Sequence, residues 1–194
     1  YDVKSSAGLL APGLEMRIVN EMGLEVKADG KEWGEILLRG PWIAKEYYRD
    51  PERSRSTFEG GWLHTGDVAT IDGEGYVRLV DRTRDLVKSG GEWISSVDLE
   101  NLIMAHPAVA EAAIIAIPHV KWVERPLGCV VLKPGQEVTE ADLKDFLRDK
   151  VKASWWVPDH FVFLEQLPKT SVGKFSKKEL REMVASGKIR IPQN

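Results

Sequence analysis

The residues best suited to chemistry fall in three short segments, of which the first is Gly61-Trp62-Leu63-His64-Thr65-Gly66-Asp67. It sets a carboxylate at the start of a strand directly after a glycine turn, where a ligand can reach it without crossing a helix. A carboxylate held in that way can accept from both hydroxyls of a ribose. Taken alone, Asp67 is more often a turn residue bonding nearby backbone amides, and His64 reads as structural.

The second segment is Asp81-Arg82-Thr83-Arg84-Asp85, followed closely by Lys88-Ser89-Gly90-Gly91-Glu92-Trp93-Ile94. Alternating charge describes a solvated linker as well as it describes a site, and Gly90-Gly91 is also a plain tight turn. As a site, Arg82 would donate to a ribose or a phosphate. The paired glycines would let a ligand pass close to bare backbone.

The third segment is Pro168-Lys169-Thr170-Ser171-Val172-Gly173-Lys174-Phe175. It is not a phosphate-cradling Walker loop, because Pro168 stands where the first glycine is needed and Phe175 where a hydroxyl should meet magnesium. A lysine beside a glycine is usually a surface lysine. Carried on a loop, Lys174 can still neutralise charge developing on a carboxylate and a phosphoryl oxygen.

These segments need elements to position them, and 194 residues are enough for two small domains with real cores. Apolar residues at 43% and charged residues at 29% exclude a disordered or fibrous chain. A net charge of −3 gives no global field to collect nucleic acid or anionic membrane. Only from Lys169 onward do cations dominate, with Lys174, Lys177, Lys178, Arg181, Lys188 and Arg190 set against Glu179 and Glu182, so a local anion partner fits there. Cys129 stands alone in an apolar run, which rules out an intrachain disulfide and reads as a buried thiol in a reducing, cytoplasmic setting. No apolar run approaches the ~20 residues a membrane span requires.

The first third reads as a small all-β unit, with apolar clusters at Met16 to Val19 and Ile36 to Leu38 between turn residues. Asp67 to Ile71 and Tyr76 to Val80 flank Asp72-Gly73-Glu74-Gly75, a hairpin signal that leads straight into Asp81. Beyond Asp81 the pattern changes. Ser95 with Asp98, Thr139 with Asp142 and Ser176 with Glu179 have capping-box spacing, each before an apolar helical face. Pro107 and Gly187 read as stops for the first and last of these helices. Val109 to Ile117, Gly128 to Leu132 and His160 to Phe163 read as the strands between. The expected fold class is therefore α+β: a β-rich part over 1–80 and an α+β domain over 81–194, hinged at 81–84.

In this order and at this spacing, the three segments resemble the C-terminal motifs of the adenylate-forming family, which includes acyl-CoA synthetases, luciferases and nonribosomal peptide adenylation domains. The resemblance covers essentially the whole chain. Trp62 to Asp67 is similar to the family's ribose-binding motif, Asp81 to Glu100 to its hinge and glycine segment, and Thr170 to Lys174 to its catalytic-lysine loop. Lys88 to Ser95 and Pro118-His119-Val120-Lys121-Trp122-Val123-Glu124-Arg125-Pro126 look most like the medium- and long-chain fatty acyl-CoA synthetases.

The resemblance implies a reaction in two steps, in which ATP and a fatty acid give acyl-adenylate and pyrophosphate, and CoA then gives the thioester and AMP. It implies that Asp67 and Arg82 hold the ribose and that Lys174 serves adenylation. Arg84 takes the hinge position, where many relatives carry Asp or Lys. Gly91 would line the pantetheine channel with Gly90 beside it, and Trp93 would pack near nucleotide or CoA unless it is simply a buried aromatic. The second domain would be mobile and rotate between the two steps.

The family elements that hold triphosphate, magnesium and acyl chain are not found in this sequence, neither the Ser/Thr/Gly-rich loop followed by Lys-Gly nor a Tyr-Gly-x-Thr-Glu segment. The chain is thus expected to be part of a longer enzyme, to hold no metal itself, to need a separate N-terminal domain and not to adenylate alone. Homodimerisation is left open. An aryl-CoA ligase, a peptide-synthetase adenylation domain, and a noncatalytic binding module of the same fold remain the other readings.

Overall fold

The computed structural model describes residues 6–191, and the chain divides into two compact units, Tyr1–Arg84 and Asp85–Asn194. In the first unit, β1 (Glu15–Val19), β2 (Gly34–Arg39), β3 (Leu63–Ile71) and β4 (Val77–Arg82) form one antiparallel sheet in chain order. Side chains alternate across a strand, and Ile18, Ile36, Ala69 and Val77 meet in its apolar cluster. The β3–β4 turn forms as its Asp-Gly sequence directs: Asp72 Oδ1 accepts from the amides of Glu74 and Tyr76, at 3.0 and 2.9 Å.

This unit is not all strand. Helix α1 (Pro51–Thr57) stands between β2 and β3, capped by Asp50, whose carboxylate accepts from the Arg53 amide at 3.0 Å. None of its residues is buried, so no apolar periodicity announces it. Its signature is local instead, a capping Asp with Pro in the first turn.

Asp81 and Arg82 also differ from the solvated linker their charges describe. They are the last two residues of β4, opposite Val68 and Asp67. The division between units falls after Arg84, at the far end of the expected 81–84 junction rather than at residue 80.

In the second unit the sheet order is β6-β5-β8-β7, with β9 joined to β8. The strands are β5 (Val87–Ser89), β6 (Glu92–Ile94), β7 (Val109–His119), β8 (Val123–Leu132) and β9 (His160–Phe163). All pairings are antiparallel except β8 with β9, which is parallel. Helices α2 (Ser96–Met104), α3 (Glu140–Arg148) and α4 (Lys177–Ala185) surround it.

Each helix begins at its expected cap. Ser95 Oγ accepts from the Asp98 amide at 3.0 Å, Ser176 Oγ from the Glu179 amide at 3.3 Å, and Thr139 forms a complete reciprocal box with Asp142. Ala112 to Ile115 are all fully buried, which an alternating strand achieves only when both faces are covered. Ala113, Ile115, Leu127 and Cys129 pack with Leu180 of α4 and with Ile189. Burial pushes the Cys129 thiol up to about 12, so it is an inert core residue.

Strand β8 begins at Val123, earlier than the apolar run from Gly128 indicates, because Glu124, Arg125 and Pro126 conceal it. Among the described residues no helix is long and apolar enough to cross a membrane.

Candidate functional site

Asp67 and Arg82 are opposite one another across β3 and β4, and Arg82 Nε lies 3.1 Å from Asp67 Oδ1. Both side chains are partly exposed, so the pair contributes little to stability. What it achieves is placement: an acceptor and a donor fork stand side by side, Arg82 at the end of β4 and Asp67 in the middle of β3 rather than at the strand start that its sequence suggests, because β3 already begins at Leu63.

The backbone beneath them is fixed by a residue that sequence reading passed over. Glu35 of β2 accepts from the Gly66 amide at 3.0 Å, and its other oxygen lies 3.1 Å from His64 Nδ1. Thr65 Oγ1 donates to the Ile36 carbonyl at 2.8 Å and accepts from the Asp67 amide at 3.1 Å. Gly66 has φ 71, in the left-handed region that suits glycine. Its carbonyl accepts from the Thr83 amide at 2.9 Å. A polar cavity of about 310 Å³ opens here, lined by Glu35, Arg53, His64, Gly66, Arg82 and Arg84 among others. Arg82 and Arg84 thus share one cavity wall.

Gly90 and Gly91 are the two turn residues of the β5–β6 hairpin, with φ 62 and φ 88. Two successive positive φ values are what a tight primed turn requires, and they explain the glycine pair on conformational grounds alone. A Cβ on Gly91 would meet nothing within 4 Å, whereas one on Gly90 would stand 3.1 Å from the Trp122 ring. The Gly90 amide donates to the Trp122 carbonyl at 2.9 Å.

Trp93 is opposite Lys88 on this hairpin, and its indole nitrogen is buried with no hydrogen-bond partner. A cavity of about 320 Å³ lies beside Gly90, lined by Ser89, Gly90, Glu92, Trp122, Arg125, Trp155 and Asp159. Lys174 and Trp93 are not among its walls.

Lys174 sits in a loop closed on itself. The Thr170 amide donates to the Lys174 carbonyl at 2.7 Å, the Gly173 amide to the Thr170 carbonyl at 2.9 Å, and Lys169 bridges to Phe175. The Lys174 side chain is exposed at the tip.

The next cation in sequence is treated in the opposite way. Lys177, in the first turn of α4, reaches Glu100 Oε1 at 2.7 Å and Ser96 Oγ at 2.6 Å, almost wholly buried. Glu100 also accepts from the Ile114 amide at 2.8 Å. Arg181 bonds Asp85 at 3.0 Å, so α4 is anchored at two points behind the exposed lysine. Among the described residues no group of three or more His, Cys, Asp or Glu could hold a metal.

The chain thus presents a carboxylate–arginine pair on the β-sheet of its first unit, and a diglycine hairpin and an exposed loop lysine in its second. Residues 98–174 match the AMP-binding enzyme C-terminal domain family. A long-chain fatty acid–CoA ligase of Thermus thermophilus is 50% identical over 93% of this chain and 33% of its own length. A medium-chain fatty acid–CoA ligase of Ectopseudomonas oleovorans is 44% identical over 93% of this chain and 32% of its own. The crystal structure of ATP-bound MatB from Rhodopseudomonas palustris superposes with a TM-score of 0.82 at 33% identity, covering 92% of this chain and 35% of that one.

The chain belongs to the adenylate-forming family and carries the C-terminal portion of such an enzyme. Its relatives are acyl-CoA ligases that differ in the acid they take, a 3-methylmercaptopropionyl-CoA ligase of Ruegeria lacuscaerulensis among them at 44% identity. The chain spans about a third of the length of the curated relatives it matches.

Proposed function

We propose that this chain serves a fatty acid–CoA ligase that works through an acyl-adenylate, and that its residues act in both half-reactions. The observation that carries the reading is the contrast between Lys174 and Lys177. One lysine is sequestered by Glu100 and Ser96, while the other is held out on a loop fixed by its own backbone bonds.

In the first half-reaction a carboxylate oxygen bonds to the α-phosphorus of ATP and pyrophosphate leaves. Two anions must approach, and the Lys174 ammonium offsets the repulsion as the bond forms. Asp67 accepts from the ribose hydroxyls, and Arg82 beside it donates to the same sugar. In the second half-reaction the CoA sulfur attacks the acyl carbon and AMP leaves. The Gly90-Gly91 turn lines the pantetheine path with little side-chain bulk, and Trp93 packs behind it. Arg84 is the residue about which the second unit swings between the two steps, in the cytoplasm.

On this reading the triphosphate and acyl-chain sites belong to the two thirds of the relatives' length that this chain does not span, and residues 1–194 alone would not adenylate. The preference for fatty acids over the other acids taken by relatives rests on the identities to the long- and medium-chain ligases.

The test is Lys174→Ala in the full-length protein. Pyrophosphate release from ATP and fatty acid falls by orders of magnitude, while single-turnover thioester formation from supplied acyl-adenylate and CoA persists. Equal loss of both half-reactions in a folded variant refutes the assignment of Lys174, and loss of neither makes it a surface lysine.

A further inference from the structure

Arg125 lines the cavity beside Gly90, and a buried arginine in such a wall invites the reading that it grips a substrate phosphate. Its hydrogen bonds say otherwise. Nε donates to Asp159 Oδ2 at 2.7 Å, and Nη2 donates to Asp159 Oδ1 at 2.8 Å and to the Val157 carbonyl at 3.1 Å. Nη1 donates to the Ser89 hydroxyl at 3.0 Å and the Trp155 carbonyl at 2.6 Å. A guanidinium has five N–H donors, and each has a partner inside the protein.

The group on which Arg125 acts is the glycine hairpin. Ser89 is the residue immediately before Gly90, and β5 meets β8 at a single register pair, Ser89 with Val123. Val87 and Ile94, fully buried, anchor the far end of the hairpin in the core, but a ladder that short does little to fix its glycine end. Further bonds supply the attachment: the Gly90 amide to the Trp122 carbonyl, the Lys88 amide to Glu124 Oε2 at 2.8 Å, Trp155 Nε1 to Glu92 Oε2 at 3.1 Å, and Arg125 to Ser89. The last two tie the hairpin to residues 155–159: Trp155 reaches the Glu92 side of the turn, and Arg125 secures the Ser89 side next to Gly90 while it holds the Trp155 and Val157 carbonyls.

We propose that Arg125 is a positioning residue for the thioester-forming step, fixing the Gly90-Gly91 turn against residues 155–159 without touching CoA. The inference rests on the proposed role of that turn. A displacement of ~1 Å in a positioned group can cost ~100-fold in rate, so loosening the turn should affect the CoA step alone.

The experiment uses the full-length enzyme with Ser89→Ala and Arg125→Lys. Lysine keeps the charge facing Asp159 but lacks the fork that also reaches Ser89 and two carbonyls. Thioester formation from supplied acyl-adenylate should lose roughly threefold to tenfold in kcat/KM for CoA with Ser89→Ala, and roughly tenfold to a hundredfold with Arg125→Lys. Pyrophosphate release in the first half-reaction stays within about twofold, as a residue remote from the adenylation chemistry requires. The losses are the same with dephospho-CoA.

Equal loss in both half-reactions makes Arg125 a general stability residue and overturns the proposal. A penalty with CoA that disappears with dephospho-CoA makes it a phosphate contact and also overturns it. If Arg125→Lys does not fold, Ser89→Ala decides, since it removes a single hydrogen bond. Gly90→Ala separates the proposal from the reading beneath it. If Gly90→Ala leaves thioester formation intact, the hairpin has no role in that step and the proposal falls with it; if it impairs the step while the other two variants do not, Arg125 alone is misassigned.

Discussion

Replacing Lys177 by Met tests whether the second unit depends on the ion pair that ties α4 to α2. The change keeps the length of an apolar stem but removes the charge facing Glu100. The two side chains are only 13% and 12% exposed. Removing one partner of a buried pair costs about 3–5 kcal/mol, because the other charge stays behind in low dielectric. Glu100 keeps its bond from the Ile114 amide, so the lower end applies, about 3 kcal/mol.

At 1.36 kcal/mol per tenfold, that raises the opening equilibrium of the second unit by roughly 150-fold. Cys129 provides the assay. It is the one cysteine of the chain, fully buried in β8, and its thiol is held at about 12, so it reacts only when the unit opens. Labelling by a thiol reagent under native conditions should therefore accelerate by about 150-fold in Lys177→Met. Adding Glu100→Gln should recover much of the loss, because no uncompensated charge then remains. A labelling rate within about threefold of the parent, or a double variant no slower than the single, would sink the argument.

Two other outcomes follow from the carboxylates. Asp67→Ala in the full-length protein should weaken ATP and AMP binding by about 1–3 kcal/mol, since ribose hydroxyls lose a charged acceptor; calorimetry showing unchanged affinity returns Asp67 to a structural turn role. Hydrogen bonding from Arg125 holds the Asp159 carboxyl below its usual range against the opposing effect of burial. A depressed folded pKa means the pair stabilises fully above the ordinary value near ~4 and loses that contribution as pH falls through the lower folded value. The melting-temperature gap between the chain and its Asp159→Asn variant should thus narrow between about pH 6 and about pH 3, and a constant gap would contradict it.

What was legible in the sequence was whatever is encoded locally. The caps at Ser95, Thr139 and Ser176 bond amides three residues away, and all begin helices where expected. Strand β9 matches its expected span because its apolar run is short and cleanly bounded. Glu35 is different: its partners His64 and Gly66 lie 29 and 31 residues along, and only strand pairing brings them within reach. Arg125 bonds residues 30 to 36 positions distant, so its string of neighbours shows a charge but not the donors it spends. Helix α1 is the instructive miss, since Asp50-Pro51 carried its start signal but no buried face followed to confirm a helix. Strands β5 and β6 were too short to register beside the glycines that join them.

Gly128 lies opposite Phe161 in the parallel pairing of β8 with β9, and a Cβ there would run into the Phe161 ring. Its neighbours in β8 are Leu127 and Cys129, both fully buried. A β9 strand arriving one residue out of step would set that ring over an occupied position and turn its apolar side chains to the wrong face. Parallel pairing across a long connection is among the slower events in folding and the most open to error. The notch at Gly128 thus works as a key: it admits β9 in one alignment and makes the mispaired alternatives too crowded to persist.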